Sequence, residues 1–128
     1  MERNRSFNLP SEKDFPIGVP SDTYTDLTPV VNHGLLVTAP AAGYVYIYGN
    51  GTGQAVLALI SSKNSQSTYP SSKSDTKLFV YDYRPNGGEM AAVLPVKKGD
   101  NVWQDTMNFQ TYVCRFVYAE TDKRIIKY

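Results

Sequence analysis

The fold class is indicated by a short stretch, residues 43–49, which reads GYVYIYG. In this stretch Tyr44, Tyr46 and Tyr48 alternate with two aliphatic residues. A strand would therefore place the tyrosines on one face and the aliphatic side chains on the other. Such a period of two, bounded by glycines, is typical of a β-strand with one buried face.

Similar segments follow one another from residue 29 to the end of the chain. They are separated by turn signals at 50–53, 84–88 and 97–100, where Gly, Asn and Asp supply residues that tolerate a positive φ. The predicted strands are 34–38, 43–49, 54–61, 77–83, 89–96, 101–104, 109–120 and 125–128. Pro95 places the strand 89–96 at a sheet edge or at a bulge. The pattern predicts an all-β, antiparallel jelly roll or β-sandwich of about eight strands.

Two polar segments lack this periodicity. Residues 1–28 carry three prolines, and they predict an extended arm or linker ahead of a jelly-roll domain over 29–128. Residues 61–76 read SSKNSQSTYPSSKSDT and contain almost nothing to bury. A loop of this length in a small domain is usually functional or mobile.

Composition removes several classes of function. The chain has 128 residues, enough for one domain, with 13 Lys and Arg against 12 Asp and Glu and a formal charge of +1. Because no excess of positive charge exists to attract phosphates, neither a nucleic acid nor an acidic membrane surface is expected as a partner. One His and one Cys cannot form a Cys/His zinc cluster or an internal disulfide. No apolar run resembles a signal peptide or a spanning helix, so synthesis in the cytoplasm is expected.

Few side chains are available for catalysis. His33 and Cys114 form the one candidate pair of base and thiol nucleophile, and no family signature surrounds either of them. The glycine-rich residues 49–53 are followed by a strand, which favours a hairpin turn over a phosphate-binding loop. The aspartates are scattered and do not form a calcium loop or a pair suited to glycoside hydrolysis. We therefore predict no enzymatic activity, no metal and no cofactor.

The ten tyrosines are the distinctive feature of the composition. Aromatic rings with polar tips suit sugar stacking and protein interfaces, although a sheet face packed within the domain is an alternative for most of them. A contiguous exposed aromatic patch would be costly in water, and rotational symmetry can bury it. We therefore predict a homo-oligomer in which the outward tyrosines line a subunit interface. These residues are Tyr44, Tyr46, Tyr48, Tyr81 and Tyr83.

Three motifs together resemble a known family. They are residues 40–46, PAAGYVY; residues 92–102, AVLPVKKGDNV; and residues 116–119, FVYA. Over about residues 34–120 the chain resembles the carboxy-terminal head domains of bacteriophage tail fibres and receptor-binding proteins. More distantly, it is similar to the trimeric jelly-roll heads of the complement and tumour-necrosis-factor type.

The resemblance implies a homotrimeric head on a virion, synthesised in the host cytoplasm, which attaches to a host-surface glycan or protein. The binding surface is then expected on the loops 61–76, 84–88 and 103–108. Candidate ligand-binding residues, chosen as an aromatic platform with hydrogen-bonding neighbours, are Trp103, Tyr69, Asn64 and Asn86. The alternative is an accessory or decoration β-sandwich, from a virion or a bacterial surface, that binds another protein.

Overall fold

The described part of the chain forms one six-stranded antiparallel sheet. The computed structural model describes residues 11–30, 33–63 and 67–126, with side chains described over 18–30, 33–63 and 67–121. The strands are β1 (Ser11–Asp26), β2 (Gly34–Thr38), β3 (Gly43–Ser62), β4 (Thr76–Arg84), β5 (Gly88–Val96) and β6 (Asn101–Ile126). One 3₁₀ turn, Lys73–Asp75, precedes β4. The predicted all-β class is therefore confirmed, whereas the specific jelly-roll arrangement stays a prediction.

Two long strands, β3 and β6, run side by side through the whole sheet and divide it into two halves. The first part of β3, residues 43–51, pairs with β5 on one side and with the second part of β6, from residue 109 onward, on the other. The second part of β6 also pairs with β1. We call these four segments the β5 half. The second part of β3, residues 55–62, pairs with β4 on one side and with the first part of β6, residues 101–107, on the other. The first part of β6 also pairs with β2. We call these four segments the β4 half.

The sheet bends where the two halves meet. The register between β3 and β6 shifts next to Gly49 and again between Gly51 and Val56, and Asn108 adopts a left-handed φ of 51°. A Cβ atom on Gly49 would lie 2.1 Å from the carbonyl oxygen of Gln110, so only glycine permits this approach of the two backbones. The bend lets both halves contribute to one core.

The core consists of the inward residues of both halves, which are the odd positions of β3 other than Gly53 and the even positions of β6 outside 108–112. Over 108–112 the register shift reverses the alternation, so Tyr112 is exposed and Phe109 packs against the core. Val45 and Ile47 are fully buried, as the alternation in residues 43–49 predicts. The buried hydrophobic cluster comprises Ala39, Val45, Ile47, Ala55, Leu57, Leu59, Met90, Ala92, Leu94, Val96, Val102, Cys114 and Phe116. Its branched and aromatic members account for the choice of sheet over helix.

The structure has fewer and longer strands than the sequence predicts. The predicted hairpin turn at 50–53 is wrong: these residues form the bend within β3, because both parts of β3 pair with β6 and hydrogen bonding continues beyond the glycines. The predicted loop 103–108 is also wrong, since these residues lie within β6. The turn predicted at 84–88 is present, but the predicted hairpin is wrong: Arg84 pairs with Ala55 and Gly88 with Gly51, so β4 and β5 follow one another along the same side of β3 and do not pair with each other.

The arm predicted over residues 1–28 contains a strand. Ser11–Asp26 pairs antiparallel with the end of β6, with irregularities of register between Pro16 and Pro20 and between Pro20 and Tyr24. Proline has no N–H to donate and interrupts the ladder, so the sequence of β1 lacks a clear alternation. Residues 1–10 lie outside the described residues. The described part of the chain contains no helix that is long and apolar enough to cross a membrane.

The turn between β5 and β6 is fixed by a buried carboxylate. Asp100 is 2% exposed, and its Oδ2 accepts hydrogen bonds from the Lys77 ammonium at 2.8 Å and from the Lys97 backbone N–H at 2.9 Å. Its backbone carbonyl accepts from Ala39 N–H, and the carbonyl of Ala39 accepts from Gly99 N–H, both at 2.8 Å. This network ties the turn to β4 and to the end of the segment that follows β2.

Candidate functional site

Four side chains from three separate parts of the chain meet on the outer face of the β4 half. Trp103 and Asp105 project outward from β6, His33 precedes β2, and Tyr69 lies in the loop between β3 and β4. The His33 and Tyr69 rings are stacked with centroids 4.1 Å apart, and the Trp103 ring meets Tyr69 edge to face at 6.0 Å. We call these four residues the aromatic cluster.

The position of His33 is set by its backbone. His33 has a left-handed φ of 62°, and its N–H donates to the carbonyl of Gln104 at 3.0 Å. The Gln104 side chain is buried, and its Oε1 accepts from the N–H of Val30 at 3.0 Å. Gln104 thus binds the backbone at both Val30 and His33, and this places the His33 imidazole beside Asp105, the residue that follows Gln104 in β6.

Trp103 lies at the base of the aromatic cluster and is 6% exposed. On the outer face of the sheet, Trp103 is flanked by its two cross-strand neighbours, Leu35 on β2 and Ile60 on β3. Its Nε1 is fully buried and has no hydrogen-bond partner among the described residues. A buried donor without an acceptor costs about 1–3 kcal/mol, which an acceptor oxygen placed next to it would recover.

Asp105 supplies the charge of the aromatic cluster. Its Oδ2 lies 3.5 Å from the His33 Nε2 and 3.5 Å from the Tyr69 hydroxyl, which donates to it. Burial, together with the nearby Asp105 carboxylate, raises the pKa of Tyr69 above its ordinary value of 10.0. Tyr69 therefore stays a neutral donor at physiological pH, and both contacts to Asp105 are long enough for a ligand group to compete with them.

A cleft of about 560 Å³ adjoins the aromatic cluster. It lies between the loop that carries Tyr69 and the adjacent strands, and it includes Ile60, which is opposite Trp103 in the sheet. Its apolar walls come from Ile60, Pro70, Leu78 and Phe79. The polar lining consists of the hydroxyl groups of Ser71, Ser72 and Thr76 and the two lysines Lys73 and Lys77. This volume is within the range of small-molecule sites, about 300–1,000 Å³.

The outer face of β4 carries an exposed aromatic row. Phe79, Tyr81 and Tyr83 are 56%, 55% and 42% exposed, and we call these three residues the β4 ridge. The Phe79 and Tyr81 rings touch, with centroids 5.7 Å apart, and the Tyr83 hydroxyl accepts a hydrogen bond from the Gln54 amide at 2.7 Å. The β4 ridge is therefore ordered by contacts among its neighbours while its rings remain open to solvent.

A second aromatic surface lies on the outer face of the β5 half. Tyr44, Tyr46 and Tyr48 are half-buried there, and we call them the tyrosine face. The Tyr44 hydroxyl donates to the carbonyl of Gly18. The Tyr48 hydroxyl donates to Glu89 at 2.8 Å, and this hydrogen bond raises the pKa of Tyr48 above its ordinary value.

A shallow groove of about 430 Å³ crosses the tyrosine face. Tyr44 and Tyr46 line it together with Val93, which is 50% exposed, and with Arg115. The Arg115 guanidinium lies 4.1 Å above the Tyr24 ring. The tyrosine face is thus partly covered by β1, whereas the β4 ridge is uncovered.

The predicted ligand-binding residues do not form one group. The structure brings Trp103 and Tyr69 into contact, but Trp103 is buried and is not the exposed platform that a loop position implied. Asn86 is exposed in the turn between β4 and β5, at the far end of β4 from Phe79. Asn64 lies outside the described residues.

Sequence reasoning missed two members of the aromatic cluster. Asp105 follows Trp103 by two residues, so a continuous strand would have placed both on one face. The signal was lost because 103–108 was interpreted as a loop. His33 has no comparable signal, since its place depends on the left-handed turn before β2.

The one candidate catalytic pair is not assembled. His33 lies beside Asp105 in the β4 half, whereas Cys114 lies in the β5 half and is 6% exposed. Burial, with a smaller effect of Asp26, raises the pKa of Cys114 to about 11, so the thiol is protonated at neutral pH and is a poor nucleophile. Within the described residues, no group of three or more His, Cys, Asp and Glu side chains is arranged to hold a metal ion.

No protein-family model matches the chain, and no curated protein matches it.

Proposed function

We propose that this protein is a non-catalytic adhesion module that assembles as a homotrimer and attaches to a host-surface glycan or protein. The tip of a bacteriophage tail fibre is the setting that the sequence resemblance favours. The observation that carries the proposal is the β4 ridge, whose three adjacent aromatic rings are 42–56% exposed. Exposed apolar groups in one contiguous row mark an interaction site more often than a free surface.

Two features of the sheet favour assembly through the aromatic surfaces. Within the described residues β4 pairs with β3 alone, so the β4 ridge lies at a sheet edge that a second chain can approach. The tyrosine face lies in the other half of the sheet and has a different shape. A cyclic trimer joins two different patches of each subunit, and the β4 ridge and the tyrosine face are two such patches.

The oligomeric state tests the assembly. Light scattering at micromolar concentration should give three times the 14.3 kDa mass of the chain. Replacing Tyr81, which is 55% exposed, by lysine should shift the mass towards one subunit, because a charge in an apolar interface is costly. Val19→Lys, on β1 and 50% exposed, is the matched control and should leave the mass unchanged.

Two results would contradict the trimer. If the wild-type protein has the mass of one subunit at high micromolar concentration, it does not self-associate and the proposed trimer is wrong. A mass that grows with concentration without limit would indicate an open head-to-tail chain instead of a closed ring.

Attachment is tested with the fluorescently labelled full chain on a panel of bacterial cells and on a glycan array. We expect binding to at least one cell surface, with periodate treatment of the cells abolishing it for a glycan and protease treatment abolishing it for a protein. If no cell adsorbs the chain and the array gives no signal, the module is structural and the adhesion proposal is wrong.

A further inference from the structure

We propose that the aromatic cluster is a binding subsite for one uncharged sugar residue, and that Tyr69 covers this subsite when it is empty. The inference rests on the adhesion function, and it specifies where a glycan binds and which chemical class of glycan is accepted. Four observations carry it: an unpaired buried donor, an acceptor beside it, aromatic rings around both, and a cleft next to them.

The ligand must both donate and accept hydrogen bonds. The Trp103 Nε1–H is buried without a partner among the described residues, so it requires an acceptor oxygen from the ligand. The Asp105 carboxylate is about 31% exposed, and each of its two contacts is 3.5 Å long, so it can accept a stronger bond from a ligand hydroxyl. Sugar hydroxyls satisfy both requirements, because each one donates and accepts.

The charge of the subsite disfavours an anionic ligand. Asp105 is the acceptor at the centre of the aromatic cluster, and a carboxylate on the ligand would lie close to it in a partly desolvated site. The rings of His33 and Tyr69 provide apolar area for the C–H faces of a sugar. We therefore assign an uncharged sugar residue to the subsite, and we expect acidic sugars to be rejected.

Space for the rest of the glycan is available in the adjoining cleft. Ile60 is opposite Trp103 across the sheet and also lines the cleft of about 560 Å³. Pro70, the neighbour of Tyr69, is buried and also lines this cleft. A sugar at the aromatic cluster can thus continue into a second residue between Pro70 and Ile60.

The Tyr69 hydroxyl occupies the position that a ligand hydroxyl needs. Its ring meets the edge of Trp103, and its hydroxyl donates to the same oxygen of Asp105 that a ligand hydroxyl would use. Binding then exchanges the tyrosine hydroxyl for a ligand hydroxyl and brings an acceptor to the indole. Because the Tyr69 contact to Asp105 is long, a ligand hydroxyl can displace it, and the exchange costs one weak hydrogen bond.

The only tryptophan of the chain is in the aromatic cluster, so its fluorescence reports directly on this subsite. The full-length protein is titrated with neutral oligosaccharides and with sialylated forms of the same cores. We expect a saturable change in fluorescence with at least one neutral oligosaccharide, and at least tenfold weaker binding of its sialylated form.

Two conservative variants separate a binding role from a folding role. Tyr69→Phe keeps the ring but removes the hydroxyl that competes for Asp105, so it should bind the neutral sugar several-fold more tightly. Asp105→Asn keeps an acceptor without the charge, so it should lose most of the discrimination against the sialylated form. Circular dichroism should show that both variants keep the fold of the wild type, and Asp22→Asn, at an exposed position of β1 in the β5 half, should bind as the wild type does.

The outcomes distinguish this inference from the proposed function. If the glycan array or cells bind the protein but no bound glycan alters the fluorescence or responds to the variants, adhesion stands and this subsite is wrong. Preferential binding of the sialylated form would also overturn it. If neither the array nor any cell binds the protein, both proposals fail.

Discussion

Replacing Asp100 by alanine should destabilise the fold strongly, because it removes the acceptor that ties the β5–β6 turn to β4. The side chain is 2% exposed, and its Oδ2 accepts from Lys77 at 2.8 Å and from the Lys97 N–H at 2.9 Å. A hydrogen bond to a charged group contributes about 1.5–3 kcal/mol, and the lower end applies to Lys77 because it is 34% exposed and can turn to water. Loss of the acceptor for Lys97 adds about 1–1.5 kcal/mol. The expected loss of unfolding free energy is therefore about 3 kcal/mol.

Urea unfolding followed by the fluorescence of Trp103 measures this loss. At an m-value of about 1.5 kcal/mol/M, the midpoint of Asp100→Ala should fall by about 2 M at a fixed protein concentration. Asp100→Asn keeps an oxygen for Lys97 and should lose about half as much. Asp22→Asn, an exposed aspartate of β1, is the control and should change the unfolding free energy by less than about 0.5 kcal/mol. The reasoning is refuted if Asp100→Ala loses less than about 1 kcal/mol, or if the alanine and asparagine variants are equally stable.

Three further predictions follow from the bend, the buried thiol and the aromatic cluster. Gly49→Ala should lower the unfolding free energy by about 3 kcal/mol or prevent folding, because its Cβ would lie 2.1 Å from the Gln110 carbonyl oxygen. The control is Ala91→Ser, at an exposed position of β5, which should change the unfolding free energy little; the urea midpoints of the two variants are compared with that of the wild type. Cys114 should react with a thiol reagent at pH 8 about a hundredfold more slowly in the folded protein than in urea, since its pKa rises from 9.0 to about 11 and the thiolate fraction falls accordingly; equal rates would contradict its burial. The raised pKa of Tyr69 means that the folded state holds the phenolic proton more tightly than the unfolded state does, so this contribution to the unfolding free energy is present below pH 10 and is lost as the pH rises through the raised pKa. The unfolding free energy of Tyr69→Phe should therefore fall less steeply with alkaline pH than that of the wild type, and identical pH profiles would contradict this prediction.

The strand positions were predictable where one face is buried and the other is not. The alternation in residues 43–49 fixes which side chains enter the core, and the burial of Val45 and Ile47 follows it. Strand continuity was not predictable by the same reasoning. The residues 49–53 have the composition of a turn, but β6 pairs with the chain on both sides of them, so they bend the strand without ending it. Composition indicates which backbone conformations a segment can adopt, whereas pairing with a strand distant in sequence decides which of them it adopts.

The burial of Trp103 shows why the aromatic cluster could not be predicted completely. Its outward direction follows from the alternation along β6, and an outward aromatic residue on an uncovered sheet would be exposed, as Tyr81 is on β4. Tyr69 contributes to the cover, and it lies within a loop whose polar composition gives no indication that one of its residues packs on the sheet. Binding surfaces formed in this way combine a rigid strand with a loop that is distant in sequence. The strand residue can be placed from its periodicity, but its partners in the loop can be placed only from the folded chain. The indole nitrogen, which has no partner among the described residues, favours the proposed binding surface over ordinary packing, because a loop that served only to cover the sheet would gain stability from supplying an acceptor there.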